Sequence, residues 1–391
     1  MAKKEKNEFS AARKKRRFKI AMLRTKKFIG AVLALAIVCV AVWLFVKEDV
    51  AGIIGDRIAA GSASGASMPV EIAGTSVKET FTIGDNVGVL TDGNVALYAK
   101  NGKQLLSYTH GMTDPIVKAA GRRFLLYDRG GTKLVVRMRD KVLFEKEFDY
   151  KIISANISSD GWITVVTAAQ RYASQLHVWN SAYDEEIFTW SSSGEYIICS
   201  AADSGSKTVA AATLTANASG QMVTTVHIFT TEAAMELGKK DFSGEAAVSL
   251  EYNSSGNVKI ICDSMAAVID RSGNVLGRFD FDRKLISCVN AHGTSGMALV
   301  FDRYTEARAT DVTFIGSRGE QVKTVSVSGK FLCANGNSSH AAVYCDGTAT
   351  VFDYSGNKTA ELTSEQDALL ILLTKESVFA VTRDEICEVK R

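Results

Sequence analysis

The chain has 391 residues, and its 46 basic and 43 acidic side chains give a formal net charge of +3. Hydrophobic residues make up 46% of the sequence, which excludes a largely disordered chain because a full core can be built. Only two prolines occur beside 31 glycines. This composition suits a fold of many paired strands, since each proline removes a hydrogen-bond donor from a sheet.

The N-terminal segment is strongly basic. Residues 1–27 carry twelve Lys and Arg side chains against only Glu5 and Glu8, so this segment has a charge of +10 and leaves −7 for the remainder. We interpret it as a cytoplasmic tail that contacts anionic lipid head groups beside a membrane helix. A nucleic-acid partner is not predicted, because the segment lacks interleaved aromatic residues and a recognisable nucleic-acid-binding fold.

An uncharged stretch of nineteen residues follows, at positions 28–46. At about 1.5 Å rise per residue, a helix of this length spans the hydrocarbon core of a bilayer, which is roughly 30 Å thick. Because the basic excess lies entirely before the stretch, the N-terminus is predicted to stay in the cytoplasm and residues 47–391 to lie outside the cell. A signal peptide that is cleaved later, among small residues, is the alternative. The sequence therefore predicts a single-pass protein of the cell membrane.

Residues 47–68 form a Gly-, Ser- and Ala-rich linker, which predicts a flexible tether. The folded domain is expected to cover residues 69–391. Within it, a unit of strand, Gly-containing turn, strand, polar turn and strand recurs, most clearly as VGVLTDGNVALYAKNGKQLLSY at 87–108 and AAVYCDGTATVFDYSGNKTAEL at 341–362. The strands before the polar turns are centred near residues 96, 135, 178, 226, 268, 313, 351 and 387.

The spacing of these strands averages about 42 residues, which is the length of a four-stranded propeller blade. We therefore predict an all-β fold, a β-propeller of eight blades (or seven) with four-stranded sheets, preceded by one transmembrane α-helix. The last repeat provides only three strands, and we expect residues 77–83 to supply the missing edge strand and close the ring. A pair of β-sandwiches or a β-solenoid is the alternative architecture.

Two of the repeats, VALYAKNGKQLLSY and MAAVIDRSGNVLGRF, resemble those of quinoprotein-type propellers, with Asn101-Gly102 and Ser272-Gly273 at the turns. The tryptophan that docks neighbouring blades in that family is matched only by Trp190. The layout of basic tail, single helix and propeller also resembles an uncharacterised family of membrane-anchored propellers from Gram-positive bacteria. That resemblance implies an architecture and a location, and it implies no chemistry.

The sequence offers little catalytic chemistry. It contains no phosphate-binding loop, no His-Glu-x-x-His or Cys-x-x-Cys motif and no Gly-x-Ser-x-Gly motif. His177 and His227 occupy equivalent strands of neighbouring repeats, which predicts packing roles. Asp280 and Asp282 share one face of a strand end, where they would bind a cation, act as acid and base, or form a solvated rim. We predict no cofactor and no metal site.

Six cysteines lie outside the predicted membrane helix, scattered through strand-like segments rather than clustered as in a disulfide scaffold. A hairpin that turns near residues 338–339 would place Cys333 opposite Cys345. We predict this pair as the one disulfide, and buried thiols are the alternative.

The missing catalytic motifs favour a non-enzymatic propeller that acts as a binding or scaffold module in the cell envelope, with a protein or a glycan as partner. An extracytoplasmic enzyme, either a quinone-dependent oxidoreductase or a glycan-acting enzyme, is the alternative. The longest irregular hairpins, at 168–174, 200–207, 216–221 and 303–310, are the expected contact loops. The side chains there best suited to anchor a partner are Tyr172, Arg303, Tyr304 and Arg308.

Overall fold

The structure is a computed structural model that describes residues 38–39, 68–72, 76–282, 284, 286–290, 296–303, 309–364, 368–375 and 377–389. For residues 287–290 and 302–303 the description covers the backbone alone. The chain divides into two units, Met1–Ser64 and Gly65–Arg391.

In the first unit only Val38 and Cys39 are described, and both are helical. The rest of the predicted membrane span at 28–46 and the whole basic tail lie outside the described residues. No helix in the described part of the chain has both the length and the apolar character that a membrane span requires. The predicted span therefore stays a prediction.

In the second unit, eight four-stranded antiparallel sheets follow one another along the chain. Blade 1 contains β2 (Val77–Ile83), β3 (Asn86–Thr91), β4 (Asn94–Tyr98) and β5 (Gln104–Thr109). Blade 2 contains β6 (Pro115–Ala120), β7 (Arg123–Asp128), β8 (Lys133–Arg137) and β9 (Val142–Glu147). Blade 3 contains β10 (Ile152–Ile157), β11 (Ile163–Thr167), β12 (Ser174–Trp179) and β13 (Glu186–Ser192). Blade 4 contains β14 (Tyr196–Asp203), β15 (Thr208–Ala216), β16 (Met222–Thr230) and β17 (Met235–Ser243).

The second half of the ring repeats this plan. Blade 5 contains β18 (Ala247–Tyr252), β19 (Val258–Cys262), β20 (Met265–Ile269) and β21 (Val275–Asp280). Blade 6 contains β22 (Ile286–Asn290), β23 (Gly296–Arg303), β24 (Ala309–Gly316) and β25 (Gln321–Ser328). Blade 7 contains β26 (Phe331–Gly336), β27 (His340–Cys345), β28 (Thr348–Asp353) and β29 (Lys358–Thr363). Blade 8 contains β30 (Leu370–Leu373), β31 (Val378–Val381), β32 (Glu385–Val389) and, as its outer strand, β1 (Val70–Glu71).

The sheets form a closed eight-bladed β-propeller. First strands of neighbouring blades lie against each other, as β2 does against β6, β10 against β14, and β30 against β2. One hydrophobic cluster fills each of the eight junctions between blades, including the junction between blades 8 and 1. The apolar faces of the sheets are buried against one another, so the core of this fold is a ring of junctions. The predicted all-β fold with eight blades is confirmed, and each strand centre listed above falls on the third strand of a blade.

The prediction about ring closure was wrong in its choice of strand. Val77–Ile83 is β2, the innermost strand of blade 1, and the closing strand is β1, which pairs Val70 with Ile386 and Glu71 with Glu385. Ile72, which follows β1, is buried in the cluster between blades 8 and 1. The fourth strand of blade 8 therefore comes from the start of the folded unit, next to the linker.

Strand pairing repeats with one irregularity. In blades 1 to 7, the register between the third and fourth strands shifts near the end of the third strand, as between Val178 and Trp179 in blade 3 and between Phe314 and Ile315 in blade 6. Such a bulge bends the outer strand and increases its twist. It also gives a fixed reference from which equivalent positions in different blades can be compared.

Four hairpins share the turn sequence Asp/Asn-x-Ser-Gly-Asn/Gln, beginning at Asn217, Asn253, Asp270 and Asp353. In each turn the first side chain accepts hydrogen bonds from the backbone N–H groups two and four residues later, at 2.9–3.1 Å. The glycine takes a positive φ, 84° at Gly273 for example, which residues with a β-carbon rarely adopt. These local interactions explain why the turns could be placed from the sequence.

Candidate binding surface

The propeller has two faces that differ in their connections. Because successive strands are antiparallel, the links between the second and third strands of a blade and the links from one blade to the next leave on the same side. We call this side the upper face, and the opposite side the lower face. The predicted contact loops at 168–174 and 216–221 lie on the upper face, as do the ends of β23 and β24 that flank residues 304–308. The loop predicted at 200–207 lies on the lower face, and its first four residues belong to β14.

Three exposed tyrosines mark the upper face around blade 3. Tyr150 lies in the link from blade 2, Tyr172 lies in the loop between β11 and β12, and Tyr196 begins β14. Their exposed fractions are 41%, 47% and 62%. We call these three residues the aromatic patch. Large aromatic side chains left in water at consecutive connections are typical of a surface that binds a partner.

Hydrogen bonds between the connections hold the aromatic patch together. The backbone N–H of Ala168 donates to the carbonyl of Lys151 over 2.9 Å, which ties the loop that carries Tyr172 to the link that carries Tyr150. The N–H of Ile197 donates to Ser174 Oγ over 2.8 Å, which ties the same loop to the start of blade 4. The tyrosines therefore project from backbone that is fixed before any partner binds.

The next junction repeats this arrangement with aliphatic residues. The N–H of Ala247 donates to Thr224 Oγ1 over 3.1 Å, and that hydroxyl donates to the carbonyl of Glu245 over 2.8 Å. Met222 and Val248, beside these bonds, are both more than 40% exposed. Exposed apolar side chains thus continue from the aromatic patch along the upper face into blade 5.

A charged cluster supports this part of the upper face. Glu245 is buried, and its carboxylate accepts hydrogen bonds from Arg278 Nη2 at 3.1 Å and from Ser264 Oγ at 2.7 Å. Arg278 also pairs with Asp280 Oδ1 at 2.7 Å, and this hydrogen bond raises the pKa of the guanidinium further. Asp280, considered above for a cation or for acid–base work, therefore neutralises an arginine. Asp282 lies in the turn after β21 with a φ of 50°.

On the lower face, the exposed large hydrophobic residues near the start of outer strands are Val142, Met235, Val275 and Val322, as far as the structure describes that face. They belong to four different blades and include no aromatic residue. This distribution resembles the single apolar residues that every soluble surface carries. The two faces therefore differ in aromatic content as well as in connections.

The two strand histidines occupy equivalent positions of blades 3 and 4, as predicted. His227 is buried, with Nδ1 2.7 Å from Glu236 Oε1 and Nε2 3.1 Å from Glu195 Oε2. Its ring packs against Trp190 of the preceding blade, with ring centroids 4.9 Å apart. Trp190 is the residue that resembles a blade-docking tryptophan, and here it does contact the next blade.

His177 has the corresponding contacts in blade 3. Its Nδ1 lies 2.6 Å from Glu186 Oε1, and its Nε2 lies 3.3 Å from Thr167 Oγ1. Burial would raise the pKa of Glu186, but the hydrogen bonds from His177 and Thr189 outweigh it and hold that pKa below its ordinary value. The sequence predicted the packing of both histidines and missed their glutamate partners. Glu186 and Glu236 lie directly before the bulge on the neighbouring strand, and Glu195 directly precedes β14. In the described part of the chain, no three His, Cys, Asp or Glu side chains are grouped so as to hold a metal ion.

The predicted disulfide between Cys333 and Cys345 is not formed in the structure. The hairpin pairs Gly336 with Ala341, and the same unbroken register pairs Cys333 with Tyr344 rather than with Cys345. Cys333 consequently belongs to the cluster between blades 7 and 8, and Cys345 to the cluster between blades 6 and 7. The two sulfur atoms lie on opposite faces of the sheet, which does not suit a disulfide.

Of the four predicted anchor residues, the structure places Tyr172 in the aromatic patch. Arg303 ends β23 at the upper face, and its backbone pairs with Ala309. Tyr304 and Arg308 lie outside the described residues. Sequence reasoning missed Tyr150 and Tyr196, because a short link and a strand start do not look like irregular loops.

Comparison with solved structures identifies similar folds. The C-terminal WD40 domain of Sif2 is 13% identical with a TM-score of 0.57, over 84% of this chain and 99% of that chain. A eukaryotic initiation factor is 13% identical with a TM-score of 0.52, over 84% and 88%. BamB from Moraxella catarrhalis is 11% identical with a TM-score of 0.47, over 82% and 99%. At these identities the first two show a common propeller fold alone.

No curated protein matches the chain. The likeness to quinoprotein-type propellers and the Gram-positive origin stay predictions. A family model covers almost the whole folded unit, from residue 66 to residue 390. The chain therefore belongs to a family of unknown function, DUF5711.

Proposed function

We propose that this protein is a non-enzymatic binding module, held at the cell membrane by residues 28–46, whose upper face receives a partner protein of the cell envelope. The single observation that carries the proposal is the aromatic patch, Tyr150, Tyr172 and Tyr196. A protein partner is favoured over a glycan, because aliphatic Met222 and Val248 extend the same surface and offer no ring for a sugar to stack on.

The chemistry of tyrosine supports this assignment. Its large ring provides contact area, its hydroxyl can bond at the rim of an interface, and few rotatable bonds are frozen on binding. A hot spot at the centre of an interface typically costs at least about 2 kcal/mol of binding free energy when it is truncated. The hydrogen bonds beneath the aromatic patch lower the ordering cost further, since the connections need no rearrangement.

Site-specific photo-crosslinking in living cells tests the surface. A photoreactive phenylalanine placed at Tyr172 or Tyr196 is expected to capture a discrete protein partner. The same group at Met235 or Val275 is the matched control, because these exposed residues lie on the lower face. Equal capture from both faces, or capture of no protein, would contradict the proposed surface.

Binding of the captured partner is then measured with purified full-length protein in detergent micelles. Tyr172→Ser and Tyr196→Ser are each expected to weaken binding by about tenfold or more, the loss typical of a hot-spot residue. Val275→Ser, on the lower face, is expected to leave binding unchanged. An unaltered affinity in both tyrosine variants would remove the aromatic patch from the interface.

The membrane tether rests on the uncharged stretch at 28–46 and on the basic residues before it. Anionic lipid is the proposed contact of the basic tail. In sealed cells, added protease is expected to digest a C-terminal epitope and to spare an N-terminal one. A protected C-terminal epitope would place the propeller inside the cell, and a soluble full-length protein would exclude the anchor.

A further inference from the structure

A long groove separates blades 6 and 7 on the outside of the ring. Its volume is about 810 Å³, and one wall is formed by seven consecutive residues, 323–329, of the outer strand β25 and the link after it. Thr348, Thr350 and Phe352 of β28 form the opposite wall. We call this cavity the β25 groove. A wall of seven consecutive residues, six of them in the strand, gives it the shape of a trough rather than of a compact pocket.

Two side chains that line the β25 groove differ from those at an equivalent junction. Counted from the bulge, Phe188 and Trp190 of blade 3 correspond to Lys323 and Val325 of blade 6. In blade 3, the tryptophan ring lies 4.8 Å from the ring of Phe229 in the next blade and closes the junction. In blade 6, a lysine and a valine leave the same place open.

The strand beside the groove can accept another strand. β25 is the last strand of its sheet, so the structure pairs it with β24 on one side only. With about 3.3 Å per residue, its eight residues offer an edge about 26 Å long. An extended peptide that adds to such an edge gains main-chain hydrogen bonds, and pockets beside the edge select its alternate side chains.

The side-chain directions of β25 fit this mode of binding. Ser326 Oγ donates to Asp311 Oδ1 over 2.7 Å on the side away from blade 7. Val325 and Val327 alternate with it and pack against the cluster between blades 6 and 7. Residues paired across a ladder share a face of the sheet, so alternate side chains of an added peptide would enter the groove above Val325 and Val327.

Charge distinguishes the two ends of the groove. At the lower end Lys323 packs against the turn at Gly356, and Lys358 lies nearby with Glu361 as its partner. At the upper end Gly329 packs against Asp346. Because Glu361 pairs with Lys358, Lys323 is the lysine of the lower end that complements an acidic residue of a ligand.

We propose that the β25 groove binds an extended peptide segment of a partner protein, which pairs with β25, places alternate apolar side chains between blades 6 and 7, and directs an acidic residue toward Lys323. This site is separate from the aromatic patch. It does not depend on the function proposed above.

The probe is a display library of random octapeptides, panned on the full-length chain in detergent micelles, with selected peptides synthesised and measured by fluorescence anisotropy. We expect peptides with alternate apolar residues and an acidic residue near one end. Val325→Trp, which installs the residue found at the equivalent place in blade 3, is expected to weaken binding by about tenfold or more. Lys323→Glu is expected to weaken it severalfold, and Tyr172→Ser to leave it unchanged.

Backbone methylation of the peptide distinguishes strand addition from other binding. Only alternate N–H groups of an added strand face β25, so N-methylation of one alternate set is expected to abolish binding while methylation of the other set has little effect. Thr350→Phe fills the groove from the opposite wall and keeps the test decisive if Val325→Trp does not fold. Insensitivity to both filling variants, equal loss from both methylation patterns, or no peptide binding up to about 1 mM would overturn the proposal.

Discussion

The junction between blades 3 and 4 and the junction between blades 6 and 7 have the same order of strands, a bulge at the same position and a hydrophobic cluster each, yet only the second is described with a groove on the outside of the ring. Phe188 and Trp190 fill the first. Lys323 and Val325 leave a cavity of about 810 Å³ in the second. At two equivalent positions of the outer strand, the closed junction therefore has large aromatic side chains, and the junction with the groove has a lysine and a valine.

The largest expected effect comes from truncating one side chain in each of the two junctions, in separate variants, and comparing the loss of stability. Phe188 is buried, and Phe188→Ala is expected to lower the free energy of unfolding by about 3–5 kcal/mol, because it removes buried area and leaves a cavity. Val325→Ala is expected to cost only about 1 kcal/mol, since that side chain already borders open space. Urea unfolding of the full chain measures both. Equal losses would show that the two junctions contribute alike to stability.

A third junction sharpens the comparison. At the position of Phe188, blade 4 has Gly238, and a β-carbon there would lie 2.3 Å from the backbone of Ser272. Gly238→Ala is expected to lower the free energy of unfolding by about 1–3 kcal/mol, because blades 4 and 5 would be forced apart. Gly194→Ala is the matched control, since no atom lies within 4 Å of the added carbon. Identical unfolding midpoints for the two variants would contradict close packing at this junction.

The smallest expected effect concerns the turns. Hydrogen bonds from the backbone and from Asn357 hold the pKa of Asp353 below its ordinary value, and similar bonds outweigh burial and lower the pKa of Asp270. A carboxyl with a lowered folded-state pKa stabilises the protein above the aspartate pKa of about 3.9, and this contribution is lost as the pH falls through the lowered value. Asn217 and Asn253 make the same turn without a charge.

The double variant Asp270→Asn, Asp353→Asn is therefore expected to stay within about 0.5 kcal/mol of the wild type at neutral pH. Below about pH 4 it is expected to lose less stability than the wild type, by a small margin because both carboxyls are solvated. Thermal unfolding between pH 7 and pH 3 measures the difference. Parallel pH profiles would mean that these turns carry no charge-dependent stability.

Much of the fold could be predicted because a propeller repeats itself. The alternating strands and the turns around Asn101-Gly102 and Ser272-Gly273 recur at one period, and the third strand of each blade was located correctly. Two pairings between strands were predicted wrongly, the one that closes the ring and the one that carries Cys333. The closing strand Val70–Glu71 is too short to show a pattern. The hairpin of β26 and β27 turns one half-residue earlier than the predicted disulfide requires, so Cys333 pairs with Tyr344 and lies on the opposite face of the sheet from Cys345.

The candidate surface was predicted in part. Tyr172 was identified because it lies in an irregular loop, whereas Tyr150 and Tyr196 lie in ordered connections and became candidates only when their exposure was known. The β25 groove has no local pattern at all. Val325 and Val327 alternate with polar residues as in any half-buried strand, and only the comparison with blade 3 shows which larger side chains are absent beside them.

By itself, the sequence determined the period of the repeat, the turns, and the charge and hydrophobicity of the N-terminal segment, because these depend on neighbours along the chain. The tertiary structure decided between eight blades and seven, which strand closes the ring, which loops share a face, which carboxylates contact His227 and Arg278, and which junction has a groove beside its core. Each of these features depends on residues that are far apart in the sequence, and their relative positions are fixed only when the sheets pack around one axis.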